Sequence, residues 1–156
     1  MTARLAFALA SALLLAAPAA QAQSMTVTRA EDLGGRIGSP EHFTGTVYVA
    51  PVFGTPDPFR ASAGQVTFLP GARSAWHTHP EGQMLVVTSG IGWVQERGQE
   101  KQVMRAGDVV WCPPGVEHWH GASAEAAVTH YAIQQVDASG SAVTWGAQVT
   151  DAEYGG

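Results

Sequence analysis

Residues 71–90 read GARSAWHTHPEGQMLVVTSG, and this stretch decides the fold. His77 and His79 stand two apart, and Gln83 follows four residues after the second histidine. In an extended strand alternate side chains share a face, so the two imidazoles point the same way, toward one metal ion. Gln83 then comes from the next strand. A second cluster at 107–121, GDVVWCPPGVEHWHG, brings His118 behind a proline-glycine turn. Three imidazoles and an amide oxygen suit a divalent transition metal. A glutamine is the weaker member of that set, read here as a ligand, with orientation of a bound water as the other role its side chain could serve.

Around these clusters the chain shows little helical periodicity. Short runs rich in Val, Thr, Phe, Tyr and Trp recur between Gly and Pro punctuation, the pattern of an all-β barrel or sandwich. Strands are predicted over 43–53, 65–69, 74–79, 83–89, 91–97, 100–105, 108–112, 117–121 and 126–136, with hairpin turns at Ser89-Gly90, Arg97-Gly98-Gln99 and Ala106-Gly107-Asp108. Alternation places Gly64, Val66 and Phe68 on one face of their strand, and Val128, His130, Ala132 and Gln134 on one face of another. If His77 and His79 face inward, these two sets wall an apolar pocket for a small, partly aromatic substrate.

The same residues carry a resemblance. Gly71, His77, His79, Gln83 and Gly90 fall on the first cupin motif, and Gly107, Pro113, Gly115 and His118 on the second. The chain resembles a small single-domain bacterial cupin, which implies a double-stranded β-helix, the jelly-roll barrel. It departs from the pattern at Gln83, where most cupins carry glutamate, and at Ala122, where the second motif often ends in asparagine. Together with FTGTV, GARSAWHTHPEGQ, GDVVWCPPGVEHWHG and VTHYAI, the glutamine is similar to the manganese-dependent cupin hydroxynitrile lyases of soil bacteria. That similarity implies Mn(II) held by His77, His79, Gln83 and His118, with Fe(II), Zn(II) or Ni(II) as other ions the set admits. It also implies reversible cleavage of a cyanohydrin such as mandelonitrile, and a homo-oligomer, dimer or tetramer. The same ligands also serve a quercetin-type dioxygenase or a cupin that binds a metal or small ligand without turnover.

Glutamine in place of glutamate has a chemical consequence. Four neutral ligands leave the full charge of the ion on the site, and open positions then favour anionic groups such as alkoxide or cyanide.

His130, flanked by Val128 and Ala132, reads from spacing alone either as a general base titrating near neutrality or as a core histidine bonded to a backbone carbonyl. The resemblance implies the catalytic role. Ser74, just before the ligand strand, matches a hydroxyl residue of those lyases that holds substrate oxygen; as an isolated residue it is a strand-edge serine. His120 shares parity with His118 and reads as a pocket residue behind the ligands. His42 is expected in solvent. The five tryptophans read as core or subunit interface.

Composition sets the remaining bounds. The first residues, MTARLAFALASALLLAAPAAQAQS, combine an arginine, an apolar run and a small-x-small site at Ala20-Gln21-Ala22. This reads as a signal peptide over 1–22 and a secreted or periplasmic protein. The run falls short of the roughly 20 residues of a membrane span, so no stable membrane anchor is expected. The remaining 134 of 156 residues, 23–156, suffice for one domain. A net charge of −5 with no basic run gives no footprint for nucleic acid, leaving a small molecule as the expected partner. The lone Cys112 has no partner for a disulfide and, within VVWCPP, reads as a buried inert thiol.

Overall fold

A computed structural model describes residues 24–54 and 60–156; the segment read as a signal peptide lies outside them. Two antiparallel sheets face each other. The first runs β1 (Arg36–Ile37), β3 (Val47–Phe53), β4 (Ala61–Phe68), β11 (Val128–Gln135), β7 (Gln83–Glu96), with β9 (Val109–Cys112) on the other side of the first half of β7. The second runs β2 (Phe43–Thr44), β5 (Arg73–Ser74), β10 (His118–Ala122), β7, with β8 (Gln102–Arg105) beyond it. In that sheet β6 (His77–Thr78) lies between β10 and β12 (Thr144–Trp145). The all-β jelly-roll expectation is met.

β7 joins the two sheets, and its burial pattern shows how. Gln83, Leu85 and Val87 are buried, then the parity switches and Gly92 and Val94 are buried. Ser89 pairs with Thr129 while Val87 pairs with His130, so Thr88 is an extra, unpaired residue. One such bulge reverses which parity faces inward and bends the strand, which lets both halves of β7 present apolar side chains to one interior. Gly90 completes the bend at φ +80°, where a Cβ would stand 1.9 Å from the carbonyl oxygen of Ala127. The expected hairpin turn at Ser89-Gly90 is therefore corrected to a bend inside one 14-residue strand.

Two other predicted strands are each two. The stretch 43–53 changes sheet at Gly45-Thr46, and 74–79 is broken at Ala75-Trp76, whose amides donate to His42, just before β2, and to Ala147, just past β12. The interior holds Val47, Val66, Phe68, Leu85, Val87, Met104 and Val128 in one cluster; each such side chain contributes about 1.5–3 kcal/mol on burial.

The C-terminal residues cross the outer face of the second sheet. Val149 and Tyr154 cover Trp76 and Trp119 there, with Trp93 at the margin. The short helix α1 (Asp151–Gly155), absent from the sequence expectation, starts at a reciprocal cap between Thr150 and Glu153. Among the described residues no helix is long and apolar enough to cross a membrane.

Candidate metal centre

His77 opens β6, His118 opens β10, and the two are register partners. His79 follows β6 by one residue, and Gln83 opens β7. Nitrogens of His77, His79 and His118 lie within 4.8 Å of one another, and all three side chains are buried.

Backbone carbonyls set the orientation of each ring. The Nδ1 of His77 lies 2.9 Å from the Ala75 oxygen, that of His79 2.6 Å from Ala142, and that of His118 2.9 Å from Val116. With each Nδ1–H donating to its carbonyl, the three Nε2 atoms keep their lone pairs. The amide of Gln83 is fixed in the same way: its Nε2 donates to Gln134 Oε1 at 3.1 Å, which turns Gln83 Oε1 toward His118 Nε2 at 3.3 Å. Two acceptors thus face each other, and the buried Nε2 of His79 has no hydrogen-bond partner. A cation among these atoms satisfies all of them, so the donor set fits a divalent ion.

Protons offer little competition. Burial holds His79 down to about 4. Burial, reinforced by His118, keeps His77 well below the usual imidazole value, and burial lowers His118 as well. All three are neutral ligands at pH 7.

Three of the four candidate ligands, His77, His79 and Gln83, open onto a cavity of about 140 Å³ with mainly apolar walls. Gly64, Val66, His120, Ala132 and Gln134 line it, joined by Phe43, Val49, Val143 and Trp145, which sequence reasoning did not assign to it. Phe68 and Val128 are packed in the barrel core instead of on the cavity wall. A wider groove of about 400 Å³ along β7, β8 and β9 touches only His118 of the four candidate ligands. The smaller cavity is the one onto which His77, His79 and Gln83 converge.

His130 is fully buried behind His120, its Nε2 3.1 Å from His120 Nδ1, and Phe68 packs against both rings. Burial lowers His130 to about 4, which corrects the expectation of a group titrating near neutrality, and burial, with help from the adjacent His130, also holds His120 well below the usual imidazole value. Ser74 Oγ, fully buried, accepts the backbone N–H of His120 at 3.2 Å. Its hydroxyl braces the strand beneath the cavity.

His42, expected in solvent, is half-buried and stacks on Trp145 at 4.4 Å with the rings 5° from parallel. Cys112 is buried; burial, then the Glu96 carboxylate, push its thiol up to about 12, consistent with an inert role.

A jelly-roll holding three convergent histidines and an oriented amide defines a metal-site cupin barrel. The cupin domain family matches residues 64–133. The chain is 48% identical over 130 residues, 83% of this chain and 98% of the other, to an (R)-mandelonitrile lyase of Granulicella tundricola. It superimposes with a TM-score of 0.71 and 40% identity on a cupin-like protein of Thermotoga maritima, covering 76% and 89% of the two chains. A more distant neighbour, a predicted oxalate decarboxylase of the same organism, shares the fold at 20% identity and a TM-score of 0.62, over 69% and 96% of the chains. The chain belongs to the cupin family.

Proposed function

We propose that this cupin is a metal-dependent hydroxynitrile lyase, cleaving a cyanohydrin such as mandelonitrile reversibly into an aldehyde and hydrogen cyanide. The observation that carries the reading is the 48% identity, over nearly the whole of the other chain, to a protein named (R)-mandelonitrile lyase. The convergence of His77, His79, His118 and Gln83 beside a small apolar cavity supports it. A divalent ion on those four residues, Mn(II) foremost, would supply Lewis acidity toward a hydroxyl oxygen or cyanide.

The chain's own residues handle the substrate and the proton. Val66, Ala132 and Trp145 offer an apolar wall to the organic part of the cyanohydrin. His120 lies on the cavity wall with His130 behind it. When His120 Nδ1–H donates to His130 Nε2, His120 Nε2 keeps its lone pair and accepts the hydroxyl proton. The C–C bond then breaks with its electrons leaving on cyanide, which takes the proton to form hydrogen cyanide. Because burial disfavours a charged imidazole at both positions, the pair passes the proton on instead of retaining it.

The outer face of the first sheet supports self-association. Trp111 and Met84 are cross-strand partners there, and both are exposed along with Val109 and Tyr48. An uncharged face of this kind fits a second copy, and the predicted dimer or tetramer is read by sedimentation.

The deciding experiment is to purify the protein, measure its bound metal, and assay mandelonitrile cleavage with and without dioxygen. A lyase releases benzaldehyde and hydrogen cyanide equally well in both. Turnover that stops without oxygen would establish an oxygenase instead, and metal-replete protein with no turnover a binding cupin.

A further inference from the structure

The ring of His79 bonds to a part of the chain far from the motifs. We infer that the C-terminal segment, residues 141–156, is a strap that completes the metal centre, so that its docking and ion binding strengthen each other. The inference rests on the reading of His77, His79 and His118 as ion ligands and adds a positioning element to it.

Two of the three rings lean on this segment. Among the described residues the hydrogen bond that fixes the Nδ1 of His79 goes to the carbonyl of Ala142 at 2.6 Å, while its Nε2 has no hydrogen-bond partner. Trp145 is the strand partner of His77 and packs on its ring at 4.9 Å. Trp145 and Val143 also form part of the cavity wall. Yet β12 has two residues and pairs with β6 alone. So short a ladder does not hold itself in place.

The hold comes from further along. Gly146 N–H donates to Trp76 O at 2.7 Å, and Trp76 N–H to Ala147 O at 2.9 Å. Beyond them Arg73, a buried arginine of β5, donates from Nε and Nη2 to Val149 O at 3.1 and 2.9 Å. Its guanidinium lies 4.7 Å from the centre of the Tyr154 ring, and Tyr154 Oη donates to Ala122 O at 2.9 Å. A buried cation requires partners. Val149 supplies two of its bonds, so release of the strap leaves Arg73 only the Gly71 carbonyl at 3.4 Å and lets Ala142 leave His79 in one event. The ion pair of Arg73 with Asp151 adds little, because the carboxylate side chain is 97% exposed.

Coupling of this kind is reciprocal: if docking tightens ion binding by some factor, ion binding tightens docking by the same factor. The experiment uses the full chain stripped of metal. Amide hydrogen exchange of Trp76 and Gly146 is followed with and without Mn(II), and Mn(II) affinity is measured by calorimetry for the parent, Arg73→Met, Arg73→Lys and Val47→Ala. Mn(II) should slow exchange at both amides in the parent. Arg73→Met should bind Mn(II) more weakly, by up to about 100-fold, as for loss of a group that orients a ligand. Arg73→Lys should fall between. Val47→Ala, in the core of the first sheet away from the strap, should lower the melting temperature and leave the affinity unchanged.

The inference is overturned if bound Mn(II) leaves exchange of the strap unaltered, a result that needs no variant. It is equally overturned if Val47→Ala and Arg73→Met weaken binding alike, or if folded Arg73→Met binds as the parent does; in all three cases the metal centre itself stands. A parent that takes up no Mn(II), Fe(II), Zn(II) or Ni(II) overturns the metal centre, and the coupling with it.

Discussion

Ion binding at this centre should change little between pH 7.5 and 5.5. The perturbation is proton competition for three imidazoles. A histidine with an ordinary value of about 6.5 is about 90% protonated at pH 5.5, so its lone pair is free about one-eleventh of the time. Three such ligands would weaken binding about 10³-fold, or about 4 kcal/mol. Here burial holds His79 at about 4, with His77 well below and His118 below the usual value. Few protons are then bound at pH 5.5, and the dissociation constant should rise by less than about tenfold. Calorimetric titration of the stripped protein with Mn(II) at pH 7.5, 6.5 and 5.5 measures this. A loss approaching 10³-fold, with close to three protons released per ion bound at pH 5.5, would refute the argument that burial keeps these rings neutral. The same shifts fix the sign for stability without metal. Unfolded histidines take up protons near 6.5, whereas His79 and His130 in the fold do so near 4, so the unfolded state binds more protons in that window. Stability is therefore full above pH 6.5 and falls as pH drops toward 4, by about 3 kcal/mol in the end for each of His79 and His130. Urea unfolding at pH 7.5, 5.5 and 4.5 reads it.

Replacing any one of His77, His79 or His118 by alanine should cost most of the bound metal, measured by elemental analysis of dialysed protein; a variant that stays stoichiometrically loaded removes that residue from the ligand set. His120→Ala should keep its metal and lose about 10² to 10⁴ in mandelonitrile cleavage. His130→Ala acts through His120, so it should lower both rate and melting temperature; wild-type turnover in a stable, loaded His130→Ala protein would end its assignment to the proton path. Gly90→Ala forces a Cβ onto the Ala127 carbonyl at a positive φ and should destabilise the fold by about 3 kcal/mol or more, seen in urea unfolding. Exported protein should begin at or within a residue or two of Gln23, which N-terminal mass spectrometry determines.

The sequence is most legible where side-chain chemistry is distinctive. Five of the six histidines stand in strands or just past one, at parities that send them inward, so the pattern HTH, Q, HWH, H names both the barrel and the groups that converge in it. Legibility fails where backbone does the work. The three carbonyls that turn the rings belong to Ala75, Val116 and Ala142, residues with no side-chain signal for the task, and Ala142 lies 63 positions from the histidine it orients. Glycine is ambiguous for a related reason. A positive φ serves a hairpin and a bulge equally, so Ser89-Gly90 reads as a turn until pairing on both sides shows β7 running through it.

Parity, finally, gives direction without depth. His120 and His130 both point inward, yet one lines the cavity and the other is sealed behind it by Phe68 and by His120 itself. Alternation along each strand treats them as equivalents. Only the crossing of β10 and β11, which belong to opposite sheets joined through β7, decides which ring meets a ligand and which ring meets only the other. The depth that separates them also sets their charge, because an imidazole with no water contact stays neutral far below its ordinary pKa. The expectation of a base titrating near neutrality therefore failed at His130 on burial, a property of the assembled barrel, while the inward placement on which it was built is correct.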